Sequence, residues 1–267
     1  MEKRMLSPKE IVKTTIDIGI QKTKLSMFQM LILGILAGIY IGFGAQGAIT
    51  ISQTFGCIDM GLSKFLLAAT FPVGLMLVVI CGAELFTGNN LMFLGVLNRK
   101  YTLIRMLKNW IIVYIGNFIG SIILAFIMVN TGLMNSAVKE KAMAIAIGKL
   151  NVPMGSLILR AILCNILVVL AVWMATGAKD IISKIFACWF PIMLFVLSGY
   201  EHSIANMYFI PIGKFLGATI SWSKIWMYNI IPVTIGNIIG GGMIVPIFYY
   251  LAYVESKNTS KSKSSLI

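Results

Sequence analysis

Long apolar runs alternate with short charged loops along this chain, and six of the runs are long enough to cross a bilayer. They cover roughly residues 27–50, 65–97, 110–129, 157–176, 185–212 and 225–253. A spanning helix needs about 20 predominantly apolar residues. In lipid a backbone must satisfy its own hydrogen bonds, which a helix does within one segment. The pattern therefore predicts an all-α membrane protein. Two of the six runs are interrupted by polar residues, at 82–90 in the second and 198–203 in the fifth.

The interruptions repeat one another. Gly82-Ala83-Glu84-Leu85-Phe86-Thr87-Gly88-Asn89 reads G-x-E-x-x-x-x-N, and so does Gly199-Tyr200-Glu201-His202-Ser203-Ile204-Ala205-Asn206, 117 positions later. A second pair, Gly116-Asn117-Phe118-Ile119-Gly120 and Gly236-Asn237-Ile238-Ile239-Gly240, is separated by 120 positions. The two offsets imply an internal duplication of three spans. An odd number of spans forces the halves into opposite orientations, so the repeat is inverted, 3+3. Matching breaks in inverted halves point to a transport site near the midplane. The G-N-x-x-G runs read as close helix packing through small residues.

A glutamate at the bilayer centre costs at least about 2.5–3.5 kcal/mol, and a broken helix there strands backbone N–H groups. Glu84 and Glu201 are therefore expected to brace the breaks by accepting from those N–H groups. His202, the single histidine, follows Glu201 directly. An ionisable residue in a broken span is by default a pathway residue, and Thr87 offers a hydroxyl in the matching break. Phe71, Leu75, Leu85 and Phe195 flank the two breaks and are candidates for apolar constrictions.

Composition narrows the class. The chain has 267 residues, of which 58% are hydrophobic and 12% charged, and a formal net charge of +13. A soluble domain averages about 25% charged residues. Fifteen of the 22 Lys and Arg fall before span one, in the loops after spans two and four, and after span six. By the positive-inside rule both termini are expected to be cytoplasmic. The basic residues form no aromatic-interleaved patch, so nucleic acid is not an expected partner. Cys57, Cys81, Cys164 and Cys188 form no C-x-x-C pair and read as small hydrophobes. One histidine cannot supply bis-histidine haem ligation, and no cofactor or metal is implied. Gly42-Phe43-Gly44-Ala45-Gln46-Gly47 matches G-x-G-x-x-G, but it ends a spanning run and lacks the strand that a dinucleotide site needs.

Three segments result. Residues 1–26 are expected to hold a cytoplasmic amphipathic helix started by Ser7-Pro8-Lys9-Glu10, with Ile11, Thr15, Ile18 and Leu25 on one face lying at the membrane surface. Residues 27–253 form the six-span channel domain. Residues 254–267, rich in Lys and Ser, are expected to be a disordered cytoplasmic tail.

The motifs resemble those of the formate/nitrite transporter family. The resemblance is carried by 82–89, by Cys164-Asn165, and by Glu201-His202-Ser203-Ile204-Ala205-Asn206-Met207, and covers nearly the whole chain. It implies an aquaporin-like fold, a homopentamer with one pore per protomer, a multi-pass place in a prokaryotic cell membrane, and no enzymatic activity. It further implies His202 as the central pore histidine, Thr87 in the loop interrupting span two, and Asn165 as a polar group near His202. Lys149 resembles a basic residue of the outer vestibule, Leu75 and Leu85 a cytoplasmic slit, and Phe71 and Phe195 an outer constriction. Among the branches the chain as a whole looks most like the hydrosulfide channels, and Thr87-Gly88-Asn89-Asn90 departs from the Thr-Ser-Thr associated with formate channels. The expected function is a channel for small monovalent anions, hydrosulfide first and formate or nitrite next. A proton-coupled secondary transporter using the same residues is the alternative.

Overall fold

A computed structural model describes residues 5–255. The first helix, α1 (Pro8–Lys24), starts where expected. Glu10 accepts at 2.7 Å from both the N–H and the hydroxyl of Ser7, and Pro8 takes the first helical position. The buried face of α1 differs from the sequence expectation. Ile11, Val12, Thr15, Ile16 and Gly19 are buried, whereas Ile18 is exposed. Ile11, Val12 and Ile16 pack on Trp173 and Val245, so α1 is docked against the ends of spanning helices rather than lying free on lipid.

The spans follow in order. Span one is α2 (Met27–Ser52). Span two is broken into α3 (Met60–Thr70), α4 (Val73–Cys81), α5 (Phe86–Asn89) and α6 (Phe93–Leu97). Pro72 bends it between α3 and α4, and the Trp189 indole donates to the Ala69 carbonyl there at 2.8 Å. Proline has no N–H and so frees a carbonyl in the preceding turn. Span three is α7 (Leu103–Val129).

A helix the hydropathy pattern did not reveal comes next, α8 (Ser136–Leu150), capped by Asn135 Oδ1 on the Val138 N–H at 3.0 Å. Span four is α9 (Met154–Gly177). Span five consists of α10 (Ile181–Leu197) and α11 (Ser203–Phe215), separated by the second break. Span six is α12 (Trp222–Val254), with π-helical turns at Trp226–Ile230 and Ile238–Ile244. The tail expected over 254–267 lies outside the described residues beyond 255, and its first two positions continue the helix.

The inverted repeat is visible in the packing. Span one crosses span three through glycines, and span four crosses span six in the same way. A Cβ on Gly120 would sit 2.0 Å from the Ile35 carbonyl oxygen, and one on Gly240 2.1 Å from that of Ile162. These approaches put backbone against backbone, the use of small residues expected between membrane helices. The repeat also includes the surface helices. Lys22 at the end of α1 and Lys149 at the end of α8 lie 127 positions apart, and each ion-pairs with the glutamate of its own half's break. The repeating unit is thus one surface helix and three spans.

Candidate pore

Both breaks begin at a glycine in the left-handed region, Gly82 at φ +79 and Gly199 at φ +72. Such a residue ends a helix without the penalty a Cβ would bring. The chain then runs extended for a few residues and restarts as α5 or α11. Two of the stranded backbone groups in each break are taken up by the asparagine of a G-N-x-x-G run. Asn117 Oδ1 accepts from the Phe86 N–H at 2.9 Å, and its Nδ2 donates to the carbonyls of Gly34 at 2.8 Å and Glu84 at 2.9 Å. Asn237 Oδ1 accepts from the Ser203 N–H at 2.9 Å, and its Nδ2 donates to the carbonyls of Ala161 at 2.8 Å and Glu201 at 3.0 Å. The glutamate N–H groups donate to the neighbouring span, Glu84 to Leu33 and Glu201 to Arg160.

The expected partners of the two glutamates need correction. Neither carboxylate accepts from a break N–H. Glu84 accepts from the Lys22 ammonium and, at 2.7 Å, from Asn89 Nδ2, which also donates to Asn109 Oδ1. Glu201 accepts from Lys149 at 2.9 Å and from Asn206 Nδ2 at 2.7 Å, which also donates to Asn229 Oδ1. A carboxylate holding an ammonium satisfies two buried charges at once. The neutral amide, which can donate and accept together, suits the backbone. The signal for these Asn roles was present in the repeat, but the glycines beside them gave a sufficient packing reading.

The two breaks meet at Thr87 and His202, whose Oγ1 and Nε2 are 2.8 Å apart. His202 also caps α11, its Nδ1 accepting from the Ala205 N–H at 3.0 Å. In a neutral imidazole one nitrogen accepts and the other carries the proton. The proton therefore sits on Nε2 and is donated to Thr87 Oγ1, leaving the threonine hydroxyl hydrogen free to donate onward.

A cavity lies on either side of this contact. One, of about 140 Å³, is lined by Phe71, Phe195, Phe209, Lys149, Glu201 and His202, among others. The Phe195 ring lies nearly parallel to the His202 ring at 5.8 Å and meets Phe71 edge-on at 5.8 Å. The other cavity, of about 470 Å³, is lined by Leu75, Leu85, Glu84, Lys22 and Lys184, among others. Leu75 and Leu85 are 1% and 2% exposed, so this side narrows onto apolar carbons before Thr87.

Two residues sit differently from the resemblance. Lys149 lines the smaller cavity, but its ammonium is committed to Glu201, so it offers no unpaired charge. Asn165 has no hydrogen bond to His202. Its Nδ2 donates to Asn90 Oδ1 at 2.8 Å and to the Asn237 carbonyl at 2.7 Å, with a longer 3.4 Å approach to the Thr87 carbonyl. It joins the first break to span six. Gly241 leaves it the room, since a Cβ there would lie 2.2 Å from Asn165 Nδ2.

The family model for formate/nitrite transporters matches residues 9–251. The chain belongs to the formate/nitrite transporter family. A probable formate transporter of Methanothermobacter thermautotrophicus is 40% identical, the match covering 93% of this chain and 97% of the relative. A solved pentameric formate channel with formate bound superposes with a TM-score of 0.77 at 34% identity, covering 85% of this chain and 98% of that one. A second solved structure, an FNT family ion channel, has a TM-score of 0.84 at 27% identity, over 91% and 98% of the two chains. The broken spans, inverted halves and aquaporin-like arrangement are therefore those of a membrane transport family, whose members are not enzymes.

Proposed function

We propose that this chain is a channel for small monovalent anions of the formate type, assembled as a homopentamer with one pathway per protomer. The observation that carries the reading is the Thr87–His202 contact between two cavities, one that reaches His202 beside the Phe71 and Phe195 rings and one that narrows onto Leu75 and Leu85. An anion between the constrictions leaves its hydration behind. One donor, the Thr87 hydroxyl left free by accepting from His202 Nε2–H, is placed to replace part of it. Hydrogen bonds to a charged group are worth about 1.5–3 kcal/mol each, enough to lower the barrier without trapping the ion. The apolar rings reject larger hydrated ions. Formate leads because the similar proteins carry that name. Hydrosulfide, the sequence-based expectation, is the second reading, favoured by the departure of Thr87-Gly88-Asn89-Asn90 from the formate-channel sequence.

The loop charges support a cell-membrane protein with both termini in the cytoplasm. The larger cavity, lined by Lys22 of α1, then opens inward.

Proteoliposomes with formate, nitrite, hydrosulfide or chloride as the sole gradient test the proposal. Rapid flux of formate with little chloride flux is expected. Accumulation of formate against its gradient, driven by a proton gradient, would replace the channel with a proton-coupled transporter. Flux of hydrosulfide well above formate would move the chain to the second reading.

A further inference from the structure

The two cavities differ in charge. The larger one has three charged residues in its lining, Lys22, Glu84 and Lys184. Lys22 and Glu84 pair with one another and cancel. Lys184, in the first turn of α10 and half-buried, has no ion pair among the described residues. The nearest carboxylate in sequence, that of Asp180, is occupied by the Ser183 N–H at 2.8 Å and the Ser183 hydroxyl at 2.7 Å. Thr14 of α1 also lines this cavity, and its hydroxyl has no partner among the described residues. The smaller cavity is lined by Lys149 and Glu201 as its charged residues, and these two pair. One unpaired positive charge thus faces the larger cavity and none faces the smaller.

We propose that Lys184 captures anions at the α1-side vestibule, so that the channel loads from that face at lower anion concentration than from the other. This rests on the reading of the chain as an anion channel and adds a side preference to it. A single charge raises the local concentration of a monovalent anion without altering the equilibrium across the membrane. At roughly 7 Å in water-filled space the attraction amounts to about a threefold enrichment. Thr14, in the lining of the same cavity, can donate a hydrogen bond to the captured anion. The effect is electrostatic, so salt removes it: the Debye length falls from about 30 Å at 0.01 M to about 3 Å at 1 M.

The test is formate current across a planar bilayer, with formate on one face at a time and the N-terminal face identified by antibody to an N-terminal tag. In Lys184→Gln at low ionic strength, half-saturation by formate on the N-terminal face should rise about threefold. The opposite face should be unchanged, and the difference should vanish at high ionic strength. Lys184→Arg should behave as wild type. Equal changes at both faces, a deficit that persists in high salt, or Lys184→Gln indistinguishable from a conducting wild type would each overturn the proposal. A wild-type protein passing no formate, nitrite or hydrosulfide from either face would instead overturn the channel reading beneath it.

Discussion

Thr87 and His202 are 115 positions apart in sequence and 2.8 Å apart in space, and theirs is the hydrogen bond that closes one broken helix onto the other. The same imidazole holds the start of α11 through its Nδ1. A proton added at Nδ1 would turn that acceptor into a donor facing the Ala205 N–H, so protonation and the cap exclude one another. His202→Asn should keep the cap, since Asn is a favoured N-cap residue, whereas His202→Ala should lose about 0.5–2 kcal/mol of stability. The Asn variant should melt near wild type yet show an altered dependence of anion flux on pH. An unchanged flux profile would reduce His202 to a capping residue.

The asparagines of the G-N-x-x-G runs should matter more for folding than their charged neighbours suggest. Asn117→Ala and Asn237→Ala each strand two backbone groups of a buried break, at about 1–3 kcal/mol for each group, and each removes a tie to a carbonyl of the neighbouring span. Both should lower the melting temperature in detergent markedly. Asn130→Ala, which removes an exposed bond to the Phe126 carbonyl, is the control and should change little. Equal melting of Asn117→Ala and Asn130→Ala would contradict the bracing role.

The ion pairs should act locally. Glu84→Gln is expected to raise hydrogen exchange in α1, which Lys22 tethers, and Glu201→Gln to raise it in α8, which Lys149 tethers. The lysines are 21% and 17% exposed, so the effect should be a loosening rather than unfolding. Unchanged exchange in both helices would show that the pairs do not hold them.

Close glycine contacts give a structural contrast. Gly120→Ala and Gly240→Ala would push a methyl to 2.0 and 2.1 Å from a facing carbonyl oxygen and should lower both yield and melting temperature. Gly148→Ala meets nothing within 4 Å on α8, and a helical Gly→Ala change there should gain about 0.5–1 kcal/mol. If Gly120→Ala were as stable as Gly148→Ala, the spans would be farther apart than described.

Leu85→Ala should widen the inner narrowing that it shares with Leu75. Larger monocarboxylates such as acetate should gain permeability relative to formate. Loss of all flux with normal folding would argue that Leu85 positions the loop instead of limiting its bore.

Six spans, two breaks and the inverted repeat could be read from hydropathy and two short motifs, because an apolar run and a carboxylate inside it are strong local signals. The helix α8 could not: Ser136–Leu150 has modest hydropathy and alternating lysines, and its meaning comes from Lys149 reaching a glutamate 52 positions away. The partners of Glu84 were misjudged for a similar reason. Lys22 lies on a helix that the pattern placed at the membrane surface, and nothing local says that it turns back toward the break. Asn165 shows the limit from the other side. Its neighbourhood with Asn90 and Asn237 depends on Gly241 leaving space on span six, a complementarity between two distant positions.

The partners of Glu84 and of the Asn117 brace, from Lys22 and Leu33 to Asn109, lie within the first half of the chain, and those of Glu201 and the Asn237 brace run only from Lys149 to Asn237; the bonds to Thr87 and Asn90 from His202 and Asn165 are the ones that join the halves. A nascent chain therefore has what it needs to pair its first buried glutamate and brace the loop beside it before the second half has been synthesised. The costly glutamate need not wait in lipid for a partner still on the ribosome, and the later half can insert against a unit whose charges are already settled.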